Sequence, residues 1–177
     1  MTPIVQNVIR LLSGATVVAD IAIVLFGFAL FLASFRRSVF VKFFSDNVLL
    51  LGFISALIAS LGSYFFSDYI GFPPCEFCWY ARIFMFPQVF LFGIALWKKD
   101  RSVVAYVLVL SINGVLINAF HYYGQMFNTS ALPCKPGGVS CAVIQFIEFG
   151  YVTIPMMSLT AFLMLALISL SAKIYRR

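Results

Sequence analysis

The chain has 177 residues, 63% of them hydrophobic and only 10% charged, with a formal net charge of +6. Soluble domains carry roughly a quarter charged residues, so this composition excludes a water-soluble fold and points to a polytopic membrane protein. The positive excess alone would suit a nucleic-acid binder, but its placement between apolar runs assigns it to membrane topology.

Residues 1–12 can form a short amphipathic helix with Ile4, Val5, Val8, Ile9 and Leu12 on its apolar side. The first long apolar run covers 16–34 and contains Asp20. Arg36 and Arg37 follow this run instead of preceding it, and no small-residue cleavage site is evident. It therefore reads as a retained anchor, not a signal peptide. The second run, 48–66, is introduced by Asp46 and Asn47 as a cap. The third, 79–97, contains Pro87, which is expected to kink it. The fourth covers 103–123 and the fifth 152–170. Each approaches the roughly 20 residues that cross the hydrocarbon core of a bilayer. The expected fold class is all-α, a multi-pass membrane helical bundle.

Arg36, Arg37 and Lys42 fall between the first two runs, Lys98, Lys99 and Arg101 between the third and fourth, and Lys173, Arg176 and Arg177 after the fifth. Under alternating topology these segments share one side, and Arg10, Arg82 and Lys135 go to the other. The positive-inside rule makes the basic side cytoplasmic and the N-terminus external. All four cysteines then lie on the outer side, where disulfides are chemically permitted.

The most informative stretch is Pro73-Pro74-Cys75-Glu76-Phe77-Cys78-Trp79-Tyr80-Ala81-Arg82, a Cys-x-x-Cys pair at the mouth of an expected membrane helix. Cys78 falls at the expected N-cap, where unpaired N–H groups favour a thiolate. Arg82, four residues on, projects from the same face one turn deeper, and a permanent cation in an apolar helix is costly enough to demand a use. The other pair, Cys134 and Cys141, brackets a loop containing Pro136, Gly137 and Gly138, residues that let the chain turn back on itself.

Three readings fit four outer cysteines: inert staples, a four-cysteine zinc site, or a redox relay. The relay fits best, because one pair starts an electropositive helix while the other sits in an exposed loop. Beyond Cys141, residues 142–150 carry Val143, Phe146, Ile147 and Gly150 at helical spacing, as expected of a helix lying in the membrane interface. Gly114, Asn118, His121 and Gln125 share one face of the fourth run. That face suits helix packing, and equally a ligand-facing role for His121, the only histidine. Asp20 and Glu148 read as interfacial or packing residues.

Several features occur together: a Cys-x-x-Cys with Tyr80 and Arg82, a His ending the next span, a second cysteine pair, and Gly150-Tyr151-Val152-Thr153-Ile154-Pro155-Met156-Met157-Ser158-Leu159. In these the chain resembles the DsbB/BdbC disulfide bond formation proteins from about residue 48 to its end. The resemblance implies a four-helix domain at 47–177, with 1–46 as an amphipathic segment and an extra span. It also implies a thiol oxidoreductase of the bacterial cell membrane that reoxidises a soluble, thioredoxin-fold DsbA-like protein and passes electrons to a membrane quinone, ubiquinone or menaquinone. Cys75 and Cys78 would be the quinone-coupled pair and Cys134 and Cys141 the partner-facing pair, Cys134 the point of attack. Arg82, and by a looser analogy His121, would contact the quinone. The short Cys134–Cys141 loop resembles the BdbC-like branch, and the first span has no counterpart in the four-helix pattern. The alternatives are a vitamin K epoxide reductase-like enzyme, whose Cys-x-x-Cys comes late in the chain, and a non-catalytic membrane protein with passive disulfides.

Overall fold

The computed structural model describes residues 3–32, 38–127, 132 and 139–175. Cys134, Lys135, Arg36, Arg37, Arg176, Arg177 and the turn residues Pro136, Gly137 and Gly138 lie outside the described residues. The elements are α1 (Pro3–Phe31), α2 (Val39–Asp46), α3 (Val48–Tyr64), a π-helical turn (Phe65–Tyr69), α4 (Glu76–Lys98), α5 (Val103–Met126) and α6 (Ile154–Tyr175). Five helices are long and apolar enough to cross a membrane. The protein is an all-α, multi-pass membrane bundle.

Two local readings need correction, and a third gains detail. The expected amphipathic helix at 1–12 and the first span are one continuous helix, α1. Nothing between them breaks a helix, since Gly14 alone costs only about 1 kcal/mol relative to Ala. Asp46 and Asn47 keep their expected place at the start of α3, Asn47 as its N-cap, though the chain arrives from a helix and not from a loop. They join α2 to α3, with Asn47 donating its side-chain amide to the Phe43 carbonyl at 2.9 Å. Residues 142–150 form turns and a single antiparallel bridge between Glu148 and Val152, not a helix. Carbonyls that such a helix would need are taken by α5 side chains, as described below, and Gly150 adopts a left-handed φ of 79°.

Helices α3 to α6 form the bundle, α3 and α6 closing it, while α1 and α2 dock on α6. Its core contains Val48, Ala56, Phe92, Val107, Phe162 and Leu165. Two glycines set the helix spacing. A Cβ on Gly52 would stand 2.4 Å from the Phe92 ring, and one on Gly114 would stand 2.2 Å from the Phe162 ring. Small residues admit such close approach in membranes, where apolar burial no longer drives association. Gln88 and Ser111, both buried, satisfy each other across α4 and α5 at 3.0 Å. Helix α4 runs through Pro87 without ending.

The connectivity places all described cysteines at one end. Cys75 and Cys78 begin α4, His121 and Gln125 lie near the end of α5, and Cys141 precedes α6. Lys42, Lys98, Lys99, Arg101 and Lys173 lie toward the opposite end of the same helices.

Candidate active site

The chain reaches the site through a π-helical turn, then Gly71 at φ 84°, then the extended pair Pro73 and Pro74. Proline holds φ near −65° and stiffens this approach. Cys75, with φ −78° and ψ 174°, is the N-cap of α4. Cys78 is therefore not the cap, as expected, but the third residue of the helix. The helix starts earlier than its apolar run because Glu76 and Phe77 complete the first turn, and the Trp79 N–H donates to the Cys75 carbonyl at 3.2 Å. Cys75 is buried and Cys78 half-buried, with their sulfurs 2.9 Å apart as two thiols. The hydrogen bond to Cys78, then burial, push the Cys75 thiol up to about 12. The two sulfurs share one short contact in which either thiol can donate.

His121 links this pair to the second cysteine loop. It is 2% exposed, its Nε2 lies 3.8 Å from the Cys75 sulfur and 3.1 Å from the Cys141 carbonyl, and Phe77 stacks on its ring. One turn along α5, Gln125 donates to the Val143 carbonyl at 2.9 Å. Cys141 is buried in one cluster with Cys75, Phe77 and Leu132, and Cys78 packs against it. Leu132 fits there because Gly124 has no side chain, as a Cβ would meet it at 2.5 Å. Cys75, Cys78, His121 and Cys141 are thus brought together. Cys134 lies outside the described residues.

Arg82 is 8% exposed, on the same helix as Cys78. Its Nε donates to Ser63 Oγ at 2.9 Å and its Nη2 to the Ser63 carbonyl at 3.2 Å. The guanidinium lies over Trp79 at 4.9 Å and Tyr64 at 5.8 Å from the ring centroids. It does not snorkel away as a free headgroup contact. Sequence reasoning missed Ser63 and the π-helical turn that follows it, and a lone serine in an apolar run gives no signal of either. Of five guanidinium N–H donors, Ser63 engages two groups, so donors remain for a further acceptor.

Cys78, Arg82, Ser63, His121 and Gln125 line one largely apolar cavity of about 440 Å³. Two buried oxygens of its lining residues, Gln125 Oε1 and Thr153 Oγ1, have no partner among the described residues. An apolar slot with a few convergent donors fits a flat, carbonyl-bearing ring such as a quinone. The ligand atoms of Cys75, Cys78 and His121 also lie within 4.8 Å of one another. The sulfurs are, however, nearer than the ~3.8 Å that tetrahedral zinc with Zn–S bonds of about 2.3 Å would impose, and a dithiol describes them better.

The chain is similar to known proteins over most of its length. Residues 45–172 match the family model described as disulfide bond formation protein DsbB. A probable disulfide formation protein of Oceanobacillus iheyensis is 39% identical over 129 residues, covering 71% of this chain and 88% of the relative. Disulfide bond formation protein C of Bacillus subtilis is 42% identical over 114 residues, 63% of this chain and 82% of the relative. A probable disulfide formation protein C of Bacillus cereus is 40% identical over 127 residues, 70% of this chain and 90% of the relative. No solved structure matches. A match over most of the chain, with Cys75, Cys78 and Cys141 gathered at one end of a membrane bundle, leaves one conclusion: this multi-pass membrane protein belongs to the DsbB family of disulfide bond formation proteins.

Proposed function

We propose that the chain draws electrons from a soluble DsbA-like thioredoxin-fold dithiol on the extracytoplasmic side of a bacterial cell membrane. They pass through Cys134 and Cys141, then Cys75 and Cys78, to a membrane quinone. Residues 47–177 would carry this relay and 1–46 would be appended to it. The observation that carries the reading is the placement of Cys78 and Arg82 on one cavity, with Cys75 tied through His121 to the backbone of Cys141. Basic side chains at the end opposite the cysteines support an outward-facing site.

The exchange balances as two thiol–disulfide steps. A partner thiolate attacks the Cys134 sulfur of the Cys134–Cys141 disulfide and expels Cys141 as thiolate. The partner's second thiol then displaces Cys134, so the partner leaves oxidised and the loop pair reduced. The same exchange against a Cys75–Cys78 disulfide moves two electrons inward and leaves the dithiol state seen here. When bound, a quinone supplies the final two-electron acceptor and takes up two protons. Arg82 orients the acceptor's oxygen with its spare N–H donors and stabilises negative charge there, in a site with little water to screen it. His121 holds Cys75 and the Cys141 backbone in register, and Cys75 keeps its proton while Cys78 presents its sulfur to the cavity.

The test is capture. In a Cys141→Ser variant the Cys134 thiolate can attack the disulfide of an oxidised soluble thioredoxin-fold partner, releasing one partner thiol. No Cys141 thiol is present to displace the partner, so a mixed disulfide should accumulate on Cys134. Recovery of no adduct, or of one only on Cys75, would overturn the order of the relay.

A further inference from the structure

Helix α1 lies outside the family match, which begins at residue 45, yet it borders the cavity that Arg82 and Cys78 face. Leu12, Ala15, Thr16 and Ala19, spaced as one helical face, line that cavity. The adjoining face, with Leu11, Val18 and Leu25, is exposed as a lipid-facing surface should be. Contacts along its length hold α1 in place. At its first turns Arg10 meets Glu148 at 4.0 Å, an exposed pair of little strength. At its far end Phe26 and Leu30 pack with Val41. Between them Asp20 accepts hydrogen bonds from Thr160 at 2.6 Å and Tyr151 at 3.0 Å. A carboxylate within a membrane helix is costly unless paired, and here both its oxygens are engaged by α6 and the segment leading into it.

We propose that α1 is a wall of the quinone site, that Ala15 and Ala19 set its width, and that Asp20 is the latch holding the wall against α6. This inference rests on the quinone reading. It makes Asp20 a positioning residue and Ala19 a determinant of which ring the slot admits. Small side chains at positions 15 and 19 leave room between α1 and α4, whereas a bulkier residue there would occupy the space of the ring.

The experiment uses the full chain in lipid nanodiscs. Binding of menadione and of a short-chain ubiquinone is read by quenching of Trp79 fluorescence in a Trp97→Phe background, since Trp97 lies at the far end of α4, beside the KM for each quinone. Ala19→Phe should raise Kd and KM together by roughly tenfold, as expected for a misfit in an apolar pocket, with capture of a thiol partner on Cys134 unchanged. Val18→Phe, on the lipid face, should change nothing. Asp20→Asn, which keeps shape but weakens the acceptor, should raise Kd by about threefold, and it carries the comparison if Ala19→Phe is not recovered from membranes. Equal Kd in these variants and the unmodified chain would overturn the wall while leaving the quinone reading intact. An unmodified chain that neither binds nor reduces either quinone would remove the quinone reading itself.

Discussion

Along α5, Ser111 and Gly114 face a closed core, while His121 and Gln125 face a loop and a cavity, although all four lie on one buried side of one helix. In the N-terminal half the polar and small positions serve packing. Ser111 donates to Gln88, and Gly114 yields its space to Phe162. In the C-terminal half the same pattern reaches across to other backbone, His121 to the Cys141 carbonyl and Gln125 to that of Val143. A stripe of small and polar residues in a membrane helix therefore does not announce its role. What stands opposite decides it, an aromatic ring in one half and an irregular loop in the other.

The comparison can be broken most severely at the site. Cys78→Ser should lower quinone-coupled turnover by on the order of 10⁴-fold, while a partner is still captured on Cys134. Quinone reduction and gel-shift trapping, run on the same preparation, check both halves of that statement. Arg82→Met should cost about 10²-fold in kcat/KM for quinone, and Arg82→Lys should recover only part of it, because a point charge lacks the planar fork of donors. Kinetics unchanged by Arg82→Met would return that residue to a packing role.

The two glycines of α5 give a sharper contrast. Gly114→Ala drives a methyl into the Phe162 ring and should cost about 1–3 kcal/mol of stability, with the KM for quinone preserved. Gly124→Ala instead displaces Leu132 from the cysteine cluster. It should slow transfer between the two cysteine pairs with less loss of thermal stability. Identical behaviour of the two variants would erase the division of α5 into halves.

The smallest effect is one of pH. The Cys75 thiol, held up to about 12 by its hydrogen bond to Cys78 and by burial, stays protonated as pH rises through the neutral and mildly alkaline range. Its thiolate fraction at pH 8 is about 10⁻⁴. The first alkylation of the reduced chain at pH 8 should fall on Cys78, and labelling of Cys75 should grow only as pH approaches 12. Mass spectrometry of singly modified chains reads this, and equal first labelling of both sulfurs at pH 8 would contradict it.

The spans were legible because apolar length in a membrane protein is a direct consequence of bilayer thickness, and the face of Gly114, Asn118, His121 and Gln125 followed from helical period alone. The segment 142–150 was misread because its apolar spacing is helical, while its conformation is set by partners distant in sequence. Phe146 packs with Phe66 and Phe72, and the carbonyls of Cys141 and Val143 are claimed by His121 and Gln125. The cap position of Cys78 was misread by three residues because the polar Glu76 hides inside the first helical turn. Ser63 was invisible, since its value comes from a carbonyl and hydroxyl presented together to Arg82 where α3 gives way to a π-helical turn. Asp20 read as a packing residue and does pack, but only the fold shows that its partners are Thr160 and Tyr151.

In the proposed relay electrons enter at Cys134 and Cys141 and leave from Cys75 and Cys78. The most direct test is a Cys134→Ser chain in nanodiscs, given in turn a small dithiol and a reduced soluble thioredoxin-fold partner, with quinone absorbance followed in each case. The relay predicts that the small dithiol still drives quinone reduction through Cys75 and Cys78 while the protein partner drives none. Quinone reduction by the partner at the unmodified rate, or a partner adduct trapped on Cys75, would contradict it.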